Sequence, residues 1–303
     1  MQIVHEAPVS FRSSALRPGP LGLVTQAIRE VWSRRRLIQY LVRADVKKKG
    51  SDTLLGNLWW VIDPLLQMVV YVVLFSIIFR RSQPDFPLFL FAAILPWKWF
   101  GSSIGDAVTS VVSQERLIKQ IQFPKIVLPV ASVAAGVVNF AFGQIVLLGL
   151  LLLMPGHLSI HVLWIPVIAA VQFLFTLALA LLTSAVNVFY RDVGNLTRHL
   201  LLLWFYLSPA LWSFERFADG QNNDVTRLGV AILRLNPFAI LLDAYRTAIY
   251  GRVVTGADGS DTFTPGQVPD LLALGILALI SLALVAGATL LFKRLEPAFA
   301  KVL

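Results

Sequence analysis

Six runs of apolar residues, at about 58–79, 87–112, 126–154, 162–189, 196–214 and 270–292, constrain this chain more than any other feature. A helix rises about 1.5 Å per residue, so about 20 such residues cross the roughly 30 Å hydrocarbon core of a bilayer. Backbone groups in hydrocarbon find no water, which restricts spanning segments to helices and closed barrels. The runs predict an all-α polytopic membrane protein with six transmembrane helices. Composition agrees, with 57% hydrophobic and 14% charged residues, against about a quarter charged in soluble domains.

Charge then sets orientation. Residues 1–50 hold Arg12, Arg17, Arg29, Arg34, Arg35, Arg36, Arg43, Lys47, Lys48 and Lys49 against Glu6, Glu30 and Asp45. A basic tail beside an apolar run is what the positive-inside rule places next to anionic cytoplasmic lipid, and it argues against a nucleic-acid partner. Six spans return both termini to that side. The inner turns then carry Arg116, Lys119 and Lys125, then Arg191 and Arg198, while the first outer loop holds only Arg80 and Arg81. The expected location is the cytoplasmic (inner) membrane, with both termini cytoplasmic and membrane lipids as partners.

Three regions follow. Residues 1–21 read as a flexible cytoplasmic leader without a removable signal peptide. Residues 22–50 read as an amphipathic interfacial helix and basic linker, with Val24, Ile28, Val31, Trp32, Ile38 and Val42 at helical spacing. Residues 51–303 form the six-span domain, including an extracytoplasmic segment, 215–269. Within that segment, two short apolar helices break at Asn236-Pro237, because proline disfavours helix in the residue before it. Each half is too short to span, so the pair dips into or lies on the outer leaflet, and "TGADGSDTFTPGQ" follows as a flexible loop.

Several chemistries lack their residues. The chain has no cysteine, which removes thiolate catalysis and cysteine-ligated metals. It has no Gly-Lys dipeptide, so the lysine-bearing phosphate loop is missing and any ATP must be bound by another chain. "GSSIG", Gly101 to Gly105, matches a serine-nucleophile pattern around Ser103, but in an apolar helical run it reads as close helix packing. His157 and His161 stand four apart beside Pro155-Gly156, which favours an external loop over a metal site. Asn195-Leu-Thr197 fits a glycosylation sequon on the wrong side of the membrane. Asp63, Lys98 and Asp106 are ionisable groups in or near spans. Lys98, between Trp97 and Trp99, reads as an interface anchor or a channel residue, and Asp63 can pair with a basic residue of the tail.

Aromatic residues cluster in the first, second and fifth spans. Lipid-facing belts account for such clusters, and aromatic faces also stack on the C–H faces of sugar rings.

Taken together, "LVRADVKKKGSDTLLGNLWWVIDPLLQMVVYVVLFSIIF", "LPWKWFGSSI", "ERLIKQIQFPKIVLP", "YRDVGNLTRHLLLLWFYLSPALW", "LNPFAILLDAYR" and "FKRLEPAFAKVL" resemble the type-2 ABC permeases that export O-antigen, galactan, teichoic acid and capsule. The "KKKGSDTLLG" stretch departs from the more usual Arg-Tyr-Lys before Leu-Gly. The ending leans towards O-antigen or galactan exporters. The resemblance implies a non-enzymatic permease subunit, working as a homodimer with a separate ABC ATPase that binds ATP and Mg, and carrying a lipid-linked polysaccharide. Carried onto this chain, it implies a coupling helix over Arg116 to Phe123, with Arg116, Leu117, Ile118, Ile121 and Phe123 meeting the ATPase. Tyr190, Arg191 and Asp192 form the second contact. Trp59, Trp60, Tyr71, Phe75, Trp97, Trp99, Phe100, Trp204 and Tyr206 line the substrate path, and Leu235, Pro237, Phe238 and Tyr245 belong to outer gate helices spanning 227–250. Other cargoes (teichoic acid, capsule, a small molecule or drug) are alternatives within the same architecture, and a membrane glycosyltransferase is the alternative outside it.

Overall fold

The computed structural model describes residues 19–50, 54–78, 85–212, 235–255 and 261–303, together with Gly229 and Leu233. Its helices in chain order are α1 (Pro20–Ser33), α2 (Arg35–Gly50), α3 (Trp59–Val72), α4 (Phe86–Ser110), α5 (Glu115–Gln120), α6 (Val127–Leu153), α7 (Ile165–Phe189), α8 (Val193–Leu207), α9 (Pro237–Ile249) and α10 (Leu271–Val302). A π-helical stretch, Val73–Ile78, prolongs α3.

Among the described residues, five helices are long and apolar enough to cross a membrane: Trp59–Ile78, Phe86–Ser110, Val127–Leu153, Ile160–Phe189 and Leu271–Val302. The expected fifth run, 196–214, differs. α8 has 15 residues, about 22 Å at the usual rise and short of a full crossing. It stops where Ser208 turns extended, with ψ 148°, because Pro209 follows and disfavours helical geometry at the residue before it.

α4 is the hub. It packs against α3, α6, α7, α8 and α9, and 78% of its most apolar window is buried, against 11% for α3. α4 also has the lowest mean hydropathy of the five, 1.3 against 2.2 for α3. A helix enclosed by protein can carry polar groups that a lipid-facing helix cannot. The main core runs along α4 through Phe91, Phe100, Phe238 and Tyr245. A second apolar cluster, with Ile118, Ile126, Phe292 and Phe299, closes the end of the bundle that carries α1, α5 and the C-terminus, here called the basal end.

Small residues replace the expected Gly101/Gly105 contact at the crossing of α4 and α6. Gly105 has nothing within 4 Å of the position a Cβ would take, and Gly101 meets only the Trp97 indole nitrogen at 3.9 Å. The close approach is made instead by Gly136 of α6, whose missing side chain leaves room for Ser103 and Trp99.

Two further expectations change. The single helix expected from residue 22 is broken at Arg34 (φ −98°, ψ 18°), where the Ser33 hydroxyl donates back to the Glu30 carbonyl at 2.9 Å and competes with helix continuation. Before the break α1 lies on α10, and beyond it α2 runs along α6, so the basic stretch expected as a linker is helical. The segment expected as a loop contains half of a hairpin, with Arg252–Thr255 (β1) antiparallel to Asp261–Thr264 (β2). The described residues are therefore helical, as expected, apart from one small two-stranded sheet.

Candidate functional site

Two regions gather the residues singled out in the sequence. The first is a cleft of about 540 Å³ between α3, α4 and α6, lined by Trp59, Trp60, Trp97 and Trp99 together with Asp63, Gln67, Lys98 and Asn139. Four of the nine expected path aromatics meet there. Trp99 stacks on Phe140 with centroids 4.7 Å apart, and Trp60 stands edge-on to Phe142 at 5.1 Å, so the walls are braced from behind. Trp59 keeps 42% of its surface exposed, leaving an indole available for a ligand ring.

Asp63 pairs with Lys98 in this cleft, not with a basic residue of the tail. The pairing joins residues 35 apart in sequence. The two side chains keep 28% and 67% exposure, so Lys98→Met is expected to cost about 1 kcal/mol or less. Thermal unfolding in detergent checks this; a large drop in midpoint would mean that the pair is sealed from water. Two acceptors in the cleft walls, Gln67 Oε1 and Asn139 Oδ1, have no partner among the described residues. Sequence reasoning missed both, because a lone amide in an apolar run carries no periodic signal.

The remaining path candidates lie elsewhere. Phe100 is wholly buried, packed on Phe175, Trp204 and Phe238 with centroids 5.9, 5.3 and 4.5 Å away. Trp204 donates to Asn236 Oδ1 at 2.8 Å. Tyr71 stacks on Phe205, Phe75 packs on Phe86, and Tyr206 is exposed.

The expected gate break at Asn236-Pro237 is where α9 begins. The Asn236 side chain caps the helix through Phe238 N–H, and Pro237 occupies the first turn, where its missing N–H is harmless. Asn236 Nδ2 also donates to Ser208 Oγ at 2.9 Å, tying the end of α8 to the start of α9. α9 packs against α4, α7 and α10. Phe238 and Tyr245 are fully buried and Leu235 is exposed; residues 227–234, apart from Gly229 and Leu233, lie outside the described residues.

Arg246, which was not singled out in the sequence, is the main polar residue of α9. It is 6% exposed, donates to the carbonyls of Pro209, Ala210 and Trp212, and lies over the Phe89 ring at 3.7 Å. Nearby at the end opposite the basal one, His157 bonds Asp85 Oδ2 at 2.7 Å and the Tyr250 carbonyl at 2.9 Å. His157 is thus a buried clamp with an acidic partner, not a member of a loop pair. Among the described residues no group of three potential metal ligands occurs.

The second region is the basal face. The expected helix over Arg116 to Phe123 is shorter: α5 ends at Gln120, and Ile121 is extended (φ −129°, ψ 133°). Phe123 packs into the basal apolar cluster, and Pro124 favours extended geometry at the residue before it, so the chain leaves the helix three residues before the proline. Ile118 is buried in that same cluster, while Ile121 is 55% and Tyr190 70% exposed. Arg116, Arg191 and Asp192 also face outward. A groove of about 530 Å³ borders α5, lined by Gln114, Arg116, Leu117 and Gln120 among others. The two turns share one electrostatic environment. The Lys119 ammonium, by hydrogen bond and charge, holds the Glu115 carboxyl below its usual range, with Arg191 and Arg116 adding to the effect.

Residues 36–250 match the family model described as ABC-2 type transporter. The chain belongs to that family, and its expected character as a transport permease rather than an enzyme rests on the match. It is 31% identical over 274 residues to the O-antigen export system permease protein RfbA of Myxococcus xanthus, covering 90% of this chain and 98% of that one. An O-antigen export system permease protein RfbA of Klebsiella pneumoniae is 26% identical over 79% of this chain and 90% of its own length. A second Klebsiella pneumoniae protein of that name is 28% identical over 69% and 78%.

Proposed function

We propose that this chain is the permease subunit of an ATP-driven exporter of a lipid-linked, O-antigen-like polysaccharide. It works in the cytoplasmic membrane as a homodimer with both termini inside, and ATP and Mg are held by two copies of a separate ATPase. The observation that carries the cargo assignment is the tryptophan-lined cleft beside Asp63 and Lys98. Indole faces stack on the apolar faces of sugar rings, while the charged pair and the amides of Gln67 and Asn139 supply donors and acceptors for hydroxyls. The relatives' names support the same cargo. In this reading α8, prolonged by the segment after Ser208, is the fifth of six crossings, and α9 forms part of an outer gate.

The ATPase docks on Arg116, Leu117 and Ile121 of the first turn and on Tyr190, Arg191 and Asp192 of the second. Ile118 and Phe123 hold the first turn to its own bundle. This division of roles gives a test that separates docking from folding. Ile121→Glu is expected to leave the permease folded and abolish co-purification with the ATPase, whereas Ile118→Glu is expected to lower the yield of the permease itself. Retained ATPase binding in Ile121→Glu and Tyr190→Ala together would overturn the docking assignment.

The cargo has its own test. In proteoliposomes holding permease and ATPase, the Trp59→Ala/Trp60→Ala double variant loses two stacking surfaces worth about 0.5–1.5 kcal/mol each. Polysaccharide transport is expected to fall roughly tenfold while the ATPase still binds. Unchanged transport would remove the cleft from the path.

A further inference from the structure

One buried carboxylate at the basal end joins three segments that are distant in sequence. Glu296, on the last turns of α10, is 8% exposed. Its Oε1 accepts the Lys125 backbone N–H at 2.6 Å, in the turn that leads out of α5. Its Oε2 accepts from Lys293 Nζ at 2.6 Å, and the same ammonium donates to Glu30 Oε2 of α1 at 2.7 Å. The Lys293 and Glu30 side chains are 8% and 21% exposed. Lys119 of α5 adds a bond to the Leu303 carbonyl at the end of α10, at 2.6 Å.

The chemistry at Glu296 requires a carboxylate. Both groups facing it are donors, an N–H and an ammonium, and a glutamine amide offers one acceptor and one donor. Burial matters too. Exposed ion pairs separate at little cost, whereas charges withdrawn from water are held firmly to their partners. The line Lys125–Glu296–Lys293–Glu30 therefore behaves as a stiff connection between the α5 turn and the interfacial helix α1.

We propose that Glu296 is a positioning residue that makes α1 follow the α5 turn, so that a displacement imposed on the turn reaches the helix lying on the lipid surface. The proposal rests on the reading that the ATPase docks on that turn. With the line cut, the turn keeps only its apolar contact with α1 through the basal cluster, and α1 follows it less closely.

The chain has no cysteine, so Arg29→Cys in α1 and Gln120→Cys in α5, both exposed, can carry a pair of spin labels without further changes. In the complete permease–ATPase complex in nanodiscs, the pair is expected to keep one distance with and without ATP. In Glu296→Gln it gains a second distance on ATP addition, and transport per ATP falls about fivefold at an unchanged ATPase rate. Glu30→Ala cuts the same line at its exposed end, leaves Glu296 paired with Lys293, and is expected to give the same split even where Glu296→Gln assembles poorly. Glu30→Gln, which keeps an acceptor for Lys293, restores the single distance. A single distance and normal transport per ATP in both Glu296→Gln and Glu30→Ala overturn the relay. Disulfide crosslinking of Arg116→Cys to cysteines on the ATPase separates the two readings: its presence with that result overturns the relay alone, and its absence overturns the docking as well.

Discussion

Replacing Arg246 by methionine is expected to cost about 3–5 kcal/mol and to release the segment that follows α8. The guanidinium serves the carbonyls of Pro209, Ala210 and Trp212 at once, in a stretch that Pro209 has already removed from helical hydrogen bonding. Methionine fills much of the volume but leaves those acceptors without their donor in a low-dielectric interior. Arg246→Lys is expected to fall between the two, since an ammonium is a point charge without the planar fork that reaches several acceptors. Thermal unfolding in detergent, with limited proteolysis after residue 207, distinguishes the cases. A midpoint within error of wild type for Arg246→Met would mean that the carbonyls find other partners.

Gly136→Leu is expected to have an effect of similar size by the opposite route, overfilling. A Cβ at Gly136 already meets Ser103 and comes within 2.8 Å of Trp99 Cδ1. Trp99 is 3% exposed and stacked on Phe140, so it cannot swing aside, and α4 and α6 must separate. Overpacking of a tight core costs about 1–3 kcal/mol for small insertions and more for large ones. Gly143 offers the comparison: its Cβ would meet Leu95 Cδ2 at 2.5 Å, the far end of a side chain with other rotamers. Gly143→Ala is expected to fold with near-normal stability and Gly136→Leu to be recovered mainly as aggregate, as size-exclusion profiles will show. Equal recovery of the two would contradict the packing account.

What was legible in the sequence followed local rules. Five of the six long apolar runs are helices long and apolar enough to cross a membrane, and Asn236-Pro237 marked the start of α9 because a cap and a proline act on their own neighbours. The Ser208-Pro209 stop carried the same signal, but it was masked by the surrounding apolar residues. Pairings across the bundle were not legible. Lys98 with Asp63, His157 with Asp85, and Glu296 with the α5 turn depend on which helices meet, and periodicity cannot specify that. Apolar spacing also could not separate faces: Ile118 and Ile121 looked equivalent, yet one is buried and the other exposed. The extended geometry at Ile121 separates them. Among the aromatics, sequence could not divide Trp59 and Trp60, which border the cleft, from Phe100 and Trp204, which fill the interior, or show that Trp97 and Trp99 line the cleft while buried in the core.

In the proposed mechanism two basal turns receive force and a tryptophan-lined cleft receives cargo. Its central claim is ATP-driven polysaccharide export through a separate ATPase. The most direct measurement reconstitutes the permease and its ATPase in proteoliposomes loaded with lipid-linked polysaccharide on the ATPase side and follows the glycan on the opposite side. The account predicts transfer that requires ATP, Mg and the ATPase and disappears in Ile121→Glu. Glycan transfer by the permease alone, or ATP hydrolysis with no glycan transferred, would contradict it.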